Sequence, residues 1–334
     1  MIATLAKRLA TALPILLVVS ILLFTALRIL PVDPAAMSMP PTATKAEIEL
    51  ARQAMGLDRP LPEQYAIWFN QTVHGDLGRS IHLRRPVATL LADALPATIE
   101  LALSAMLIAG TLGLAGGLTL FALRGKPLEP ALEATTTLMM SIPEFLWALL
   151  FIFTFGVALQ ALPFTGRLDP GISRPVFSGF LLFDSLWLGQ YKAFRSALIH
   201  LILPATALGI AFAPPIMRVL RASLIEVYHE DYIRQARLRG LSETRILLAH
   251  ALQNAALPTL TLMGVQFGFL FGGSLLIEVI YAYPGMGNLM VDAVRNADLP
   301  IIQAVGLTYC VVVLLINATV DALYQVLNPR LRPA

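Results

Sequence analysis

Six apolar runs, each about twenty residues or longer, dominate this chain: roughly 9–30, 97–122, 134–160, 198–217, 258–280 and 301–323. A bilayer's hydrocarbon core is about 30 Å thick, and a helix needs about 20 apolar residues to cross it. Inside lipid every backbone N–H and C=O must pair within the protein, which leaves helices or a closed barrel. The runs are continuous and do not alternate at period two, so helices are the solution. Of the 334 residues, 57% are hydrophobic and only 13% are charged, against about 25% charged in an ordinary soluble domain. The pattern predicts an all-α integral membrane protein with six transmembrane helices.

Proline qualifies two of these spans. The third contains Pro143, and the fourth contains Pro204, Pro214 and Pro215, where a kink or break is expected. The first run follows Lys7 and Arg8 and is longer than the apolar region of a signal peptide (about 7–15 residues), so it reads as an uncleaved first span. An even number of spans places both termini on one side. Basic residues in short loops choose the side. Lys7, Arg8, Arg124, Lys126, the arginines at 218, 221, 234, 237, 239 and 245, and Arg330 and Arg332 lie on one side. Arg167, Arg174, Lys192, Arg195 and Arg295 lie on the other. The bias places both termini in the cytoplasm.

The segment 31–96 is long and polar. Lys45 to Met55 reads as an amphipathic helix with Thr44 as N-cap and Gly56 as stop. Pro60 and Pro62 impose an extended turn, and a second short helix follows from Glu63 to Thr72, ending near Gly75. The predicted division is therefore 1–96, a first transmembrane helix with a folded outer cap, and 97–334, the core membrane domain.

Several functions lack their residues. Cys310 is the lone cysteine, inside an apolar run, and reads as a small buried hydrophobe. No His/Cys/Glu cluster has metal-ligand spacing; His74 and His82 are scattered in a polar loop. HExxH and GxSxG are both missing, which argues against an intramembrane enzyme. Gly125-Lys126 lacks the upstream glycine and following hydroxyl of a phosphate-binding loop, so the chain is not its own ATPase by that mechanism. A net charge of +3 gives no sign of nucleic acid. No duplication of three spans is visible, which weakens an ATP-independent secondary transporter as the alternative class.

One cytoplasmic segment stands apart. DYIRQARLRGLSETRILLAHALQNAALP, Asp231 to Pro258, is basic in its first half, and Gly240 interrupts it. A short helix is predicted over Tyr232 to Arg239, with Gly240 turning the chain at positive φ. Ser242 suits an N-cap for a second short helix, Glu243 to Leu252, with Ile246, Leu247 and His250 on one face, and Pro258 marks the entry of the fifth span. The plain reading is a solvated basic loop. The other is a docking element joined to two membrane helices.

This segment resembles the cytoplasmic coupling loop of ABC importer permeases, and within them the dipeptide/oligopeptide/nickel group, through Ala236, Arg237, Gly240, Leu241, Ser242, His250, Ala251, Leu252, Asn254, Ala255 and Pro258. The wider superfamily begins this loop with a glutamate; here Arg234 stands there, followed by Gln235, as in the peptide group. LRILPVDPA, MGLDRPLPEQY, GDLGRSI, LPATIELAL, EVIYAYPGMGNLMVDAV and DALYQVLNPRLR resemble the same group in the same order. The resemblance implies a type I ABC importer permease fold in the bacterial inner membrane. It implies as partners a homologous second permease, two ATP-binding subunits and a periplasmic substrate-binding protein. This chain would do no chemistry and hold no cofactor, ATP and Mg being bound by the partner subunits. The coupling loop would span 221–257, with contacts to the ATPase from Arg234, Gln235, Ala236, Arg237, Arg239, Gly240, Leu241 and Ser242.

A few residues are candidates for the pathway or its gate. Glu144 follows Pro143 inside the third span, where a carboxylate costs about 3 kcal/mol on insertion scales. It is expected either to recognise a substrate amine or cation or to be a partnered structural charge. Glu278, near the outer end of the fifth span, is a candidate for the outer gate or the binding-protein contact, or an interfacial charge. Gln266 and Asn317 are polar residues within spans, and Asp321 is expected to pair with a cytoplasmic arginine. Gly264, Gly268 and Gly272, spaced four apart, and Gly113 and Gly117 read chiefly as close helix packing.

Overall fold

The structure is a computed structural model; it describes residues 2–29, 33–39, 42–54, 56–175 and 177–327. Side chains at 2–11 and at 321 and 323–327 lie outside the described set, and with them the expectations for Lys7, Arg8 and Asp321.

Three outer helices follow the first span, α1 (Ile2–Ile29): α2 (Pro34–Ser38), α3 (Lys45–Ala54) and α4 (Leu61–Val73). Thr44 and Glu47 close a capping box on α3: the Thr44 N–H donates to Glu47 Oε2 at 2.7 Å and the Glu47 N–H to Thr44 Oγ1 at 3.3 Å. Gly56 stops the helix at φ 65°. Arg52 reaches back to Asp33, which caps α2 through the Ala35 N–H. α4 docks on α1 through an aromatic cluster of Phe24, Tyr65 and Trp68, and Tyr65 also hydrogen-bonds Ser20 at 2.8 Å.

α5 (Val87–Ala122), α9 (Tyr191–Val227), α12 (Leu252–Ile280) and α14 (Leu299–Leu327) join α1 in the bundle, and each is long and apolar enough to cross a membrane. α5 and α9 lie against each other over much of their length because glycines remove the side chains between them. A Cβ on Gly113 would come within 2.6 Å of Ile216 Cβ, and one on Gly209 within 2.6 Å of Ile108 Cγ2. In lipid there is little hydrophobic drive for helices to associate, so such close van der Waals contact carries the packing.

The third crossing departs from expectation. It is a broken pair: α6 (Glu129–Ser141), then α7 (Glu144–Phe151) running into a π-helical stretch (Ile152–Ala158), with a 98° bend between the halves. Counted as one, the pair is the sixth span. The cause is local. Pro143 crowds the residue before it, and Ile142 is extended at φ −95°, ψ 117°. The fourth span is also unlike the expectation: α9 is helical through Pro204, Pro214 and Pro215. Pro204 and Pro214 are buried, and neighbouring helices hold the chain helical where hydrogen bonds are missing.

One end of the bundle, the outer one on the arginine-based expectation, is tied by α8 (Leu181–Trp187) and α13 (Met286–Arg295), and the opposite end carries α10 (Asp231–Leu238). The predicted separate brace does not exist. α11 (Glu243–Arg245) passes through a π-helical stretch (Ile246–Ala251) into α12, with Pro258 inside that helix. The predicted second short helix and the fifth span are thus one continuous rod, 38 residues from Glu243 to Ile280.

Candidate functional site: the coupling segment and the outer latch

α10 forms because its apolar and polar residues separate at helical spacing. Ile233 and Ala236 face inward, into a cluster with Phe121, Leu220, Leu224, Ile246, Ala251 and Ala255. The helix is therefore bolted to the inner ends of α5, α9 and α12. Arg234, Gln235, Arg237, Leu238 and Arg239 are exposed on the other face, Leu238 to 81%. Gly240 then turns the chain at φ 78°, Leu241 is half-buried and Ser242 exposed. Ser242 occupies the N-cap position of α11 but makes no side-chain cap bond. An ion pair crosses the turn, Arg237 to Glu243, and the Arg237 guanidinium also lies 5.3 Å over the Tyr228 ring. The hydrogen bond to Glu243 holds the Arg237 guanidinium above its ordinary range. Tyr232 accepts from Asn254 Nδ2 at 2.7 Å, joining α10 to α12 a second time. Of the residues singled out in the sequence, Ala236 is structural, Arg237 is engaged within the chain, and Arg234, Gln235 and Arg239 remain free on the surface.

The pathway candidates are spread through the bundle. Glu278 is fully buried and fully bonded. Its Oε1 accepts from Thr98 Oγ1 at 2.7 Å and Ser274 Oγ at 3.2 Å, and its Oε2 from the N–H groups of Gly287 at 2.7 Å and Asn288 at 3.3 Å. The N-cap of α13 is Gly285, which has no side chain to cap with. Glu278 supplies the cap from another helix, and Thr98 Oγ1 takes the Met286 N–H at 2.8 Å. A Cβ on Gly285 would lie 2.4 Å from Glu278 Oε2, so glycine is needed there for space. Gln266 is buried with its Oε1 unpartnered. Glu144 is half-buried at the break in the third span and makes no hydrogen bond or ion pair among the described residues.

A second outer latch had no forewarning in the sequence. Glu100 on α5 pairs with buried Arg167 and accepts from the Leu182 N–H at 2.6 Å; Arg167 also lies 5.8 Å over the Tyr283 ring. Glu100 sits in the quoted LPATIELAL run; a lone glutamate in an apolar helix was the available signal. At the inner end, Arg221 pairs with Glu129 and Glu133, and Arg218 donates to Thr137 Oγ1 at 3.0 Å, fixing α6 on α9. The glycines of the fifth span divide. Gly264 packs against Val320 and Gly268 lies near Val313, whereas Gly272 has open space beside it.

A multi-span helical bundle with an amphipathic lever bolted to its inner ends and a latched outer hairpin is the architecture of a transport permease. The chain belongs to the family of binding-protein-dependent transport system inner membrane components, whose core domain matches residues 109–333 and whose N-terminal domain matches residues 1–102. It is 37% identical over 333 residues to the di/tripeptide transport system permease protein DppB of Pseudomonas aeruginosa, covering 99% of each chain. It is 38% identical over 326 residues to the glutathione transport system permease protein GsiC of Escherichia coli K12, covering 98% of this chain and 97% of that one. The fold is similar to that of the MetNI methionine ABC transporter in an inward-facing conformation, at a TM-score of 0.56 and 17% identity over 73% of this chain and 98% of that chain. The protein is thus a multi-pass inner-membrane permease of a binding-protein-dependent ABC importer, working with ATPase and binding-protein partners. Subunits of this family are not enzymes and carry no cofactor.

Proposed function

We propose that this chain is one of a pair of homologous permeases that import di- or tripeptides, or a related small peptide such as glutathione, into the cytoplasm. The substrate class rests on relatives matched from end to end, one a di/tripeptide and one a glutathione permease. Glutathione is itself a tripeptide, so both names point to short peptides.

The mechanical reading rests on one observation: α10 is a surface helix buried on one side by the inner ends of three membrane helices and exposed on the other. Two ATP-binding subunits grip that exposed side through Leu238, with Arg234, Gln235 and Arg239 around it. When they close on ATP, the displacement passes through Ile233 and the Glu243–Ile280 rod to the outer end of the bundle. Arg237, Gly240, Leu241 and Ser242 set the shape of the lever. Both termini lie in the cytoplasm, on the side of α10, in keeping with the distribution of arginine. The second permease covers the exposed stripe of Val265, Phe269, Gly272 and Leu276 on α12, whose spacing of four, three and four makes one helix face. Glu278 acts in the outer gate by holding α13 rigidly to α5 and α12.

The test is a Leu238→Cys chain assembled with its partners. A cross-link to an ATP-binding subunit that changes in yield between nucleotide-free and ATP-bound states is expected, together with ATP-dependent dipeptide uptake by the unmodified complex. No cross-link in either state removes α10 as the docking helix.

A further inference from the structure

A carboxylate with no counter-charge among the described residues sits where the third span breaks. Glu144 opens α7 directly after the 98° bend. Gly273, opposite it on α12, is seven residues from the end of that helix at Ile280, roughly 10 Å along the axis at 1.5 Å per residue. The group therefore lies well inside a hydrocarbon layer of about 30 Å. An ionisable side chain at that depth, held at a discontinuous helix, marks a solute pathway by default.

A cradle lies in front of it. A Cβ on Gly273 would stand 3.9 Å from Glu144 Oε1 and 4.0 Å from Phe212 Cζ, and no other neighbouring group comes within 4 Å among the described residues. Bare backbone, a carboxylate oxygen and an aromatic ring thus converge from α12, α7 and α9, with no side chain on Gly273 between them. Next to it, Gly272 is exposed, with nothing within 4 Å of its own Cβ position, so the space is open on one side. A polar face leads there from the cytoplasmic end: Glu133, Thr137 and Ser141, four residues apart along α6, are all exposed.

We propose that Glu144, Phe212 and the bare backbone at Gly273 form a site for the primary ammonium group of the transported solute. An ammonium suits these groups because it needs a charged acceptor at about 2.8 Å and gains from an aromatic ring within about 6 Å. The site rests on the peptide-import reading only for which ammonium it meets, the free N-terminus of a short peptide.

The test uses the complete complex in nanodiscs, without binding protein, and thermal stabilisation by millimolar dialanine or N-acetyl-dialanine. Dialanine is expected to raise the Tm and N-acetyl-dialanine to leave it unchanged. E144Q and G273A are each expected to weaken apparent dialanine affinity about tenfold or more, while Glu144→Asp retains part of it. G273A keeps the charge and fills the space, so it decides the question should E144Q fail to assemble. Equal stabilisation by both peptides, stabilisation by neither, or wild-type affinity in G273A would overturn the site. Dissociation of the permease pair in a folded E144Q chain would assign the carboxylate to the second permease instead. Failure of the wild-type complex with its binding protein to import any peptide would sink the import reading by itself, whatever the ammonium binding shows.

Discussion

Arg237 clasps Glu243 across the Gly240 turn, its Nε donating to Oε1 at 2.7 Å and its Nη2 to Oε2 at 3.3 Å. The pair closes the elbow between the surface lever and the rod of the fifth span. Both side chains are well exposed, at 45% and 62%, and exposed pairs contribute about 0–1 kcal/mol. Its work is therefore to fix the angle of the elbow. Glu243→Ala is expected to leave the Tm of the complex within about 2 °C and to speed amide exchange across 239–244. Exchange as slow as in the wild type would show that α10 is held by Ile233 and Ala236 alone.

Gly240 sits at φ 78°, where a β-branched residue is strained by about 1–3 kcal/mol. Gly240→Val is expected to bend the elbow without disturbing the spans. The complex should insert and hydrolyse ATP, with uptake per ATP reduced about tenfold or more, a cost of the same order as that strain. Normal ATP-driven uptake would remove the lever from the mechanism.

The spans, the N-cap at Thr44 and the turn at Gly240 were legible because each is set by neighbours in sequence: apolar length, a side chain reaching three residues, a backbone angle. The prolines were not. Pro143 breaks its span while Pro204 and Pro214 are absorbed, and the difference lies in packing. α6 is exposed along most of its length, whereas Pro204 and Pro214 of α9 are buried. Ser242 had the right identity for a cap but makes no side-chain cap bond; the turn is held by the Arg237–Glu243 pair instead. Glu278 was visible as a charge near a span end; its partner Thr98 is 180 residues away, and only the folded bundle brings them together.

Removing Glu278 tests the outer latch. In Glu278→Ala the Thr98 hydroxyl and the N–H groups of Gly287 and Asn288 lose their acceptor, while Ser274 keeps the Phe271 carbonyl at 2.9 Å. Buried groups left unsatisfied cost about 1–3 kcal/mol each, so a loss of at least about 3 kcal/mol is expected. Glu278→Gln keeps one acceptor oxygen and should lose less. Thermal unfolding of the purified complex measures both, and equal Tm values for the two variants would show that the oxygen and the shape kept by Gln contribute nothing to the latch.

The outer cap is built from pieces that separate cleanly. α4 is fixed to α1 by Phe24, Tyr65, Trp68 and the Ser20–Tyr65 hydrogen bond, whereas α3 is held to α2 by the partly exposed Arg52–Asp33 pair. Deleting 42–57 removes α3 with its capping box and leaves the aromatic cluster in place. The chain should still insert and support basal ATP hydrolysis, because among the described residues no hydrogen bond or ion pair joins the deleted segment to the bundle or to α10. If α3 meets the substrate-binding protein, stimulation of ATPase activity by that protein should be lost. Stimulation at the wild-type level would exclude α3 from the contact and leave α13, which the Glu278 latch holds rigid at the same outer face, as the surface where the binding protein docks.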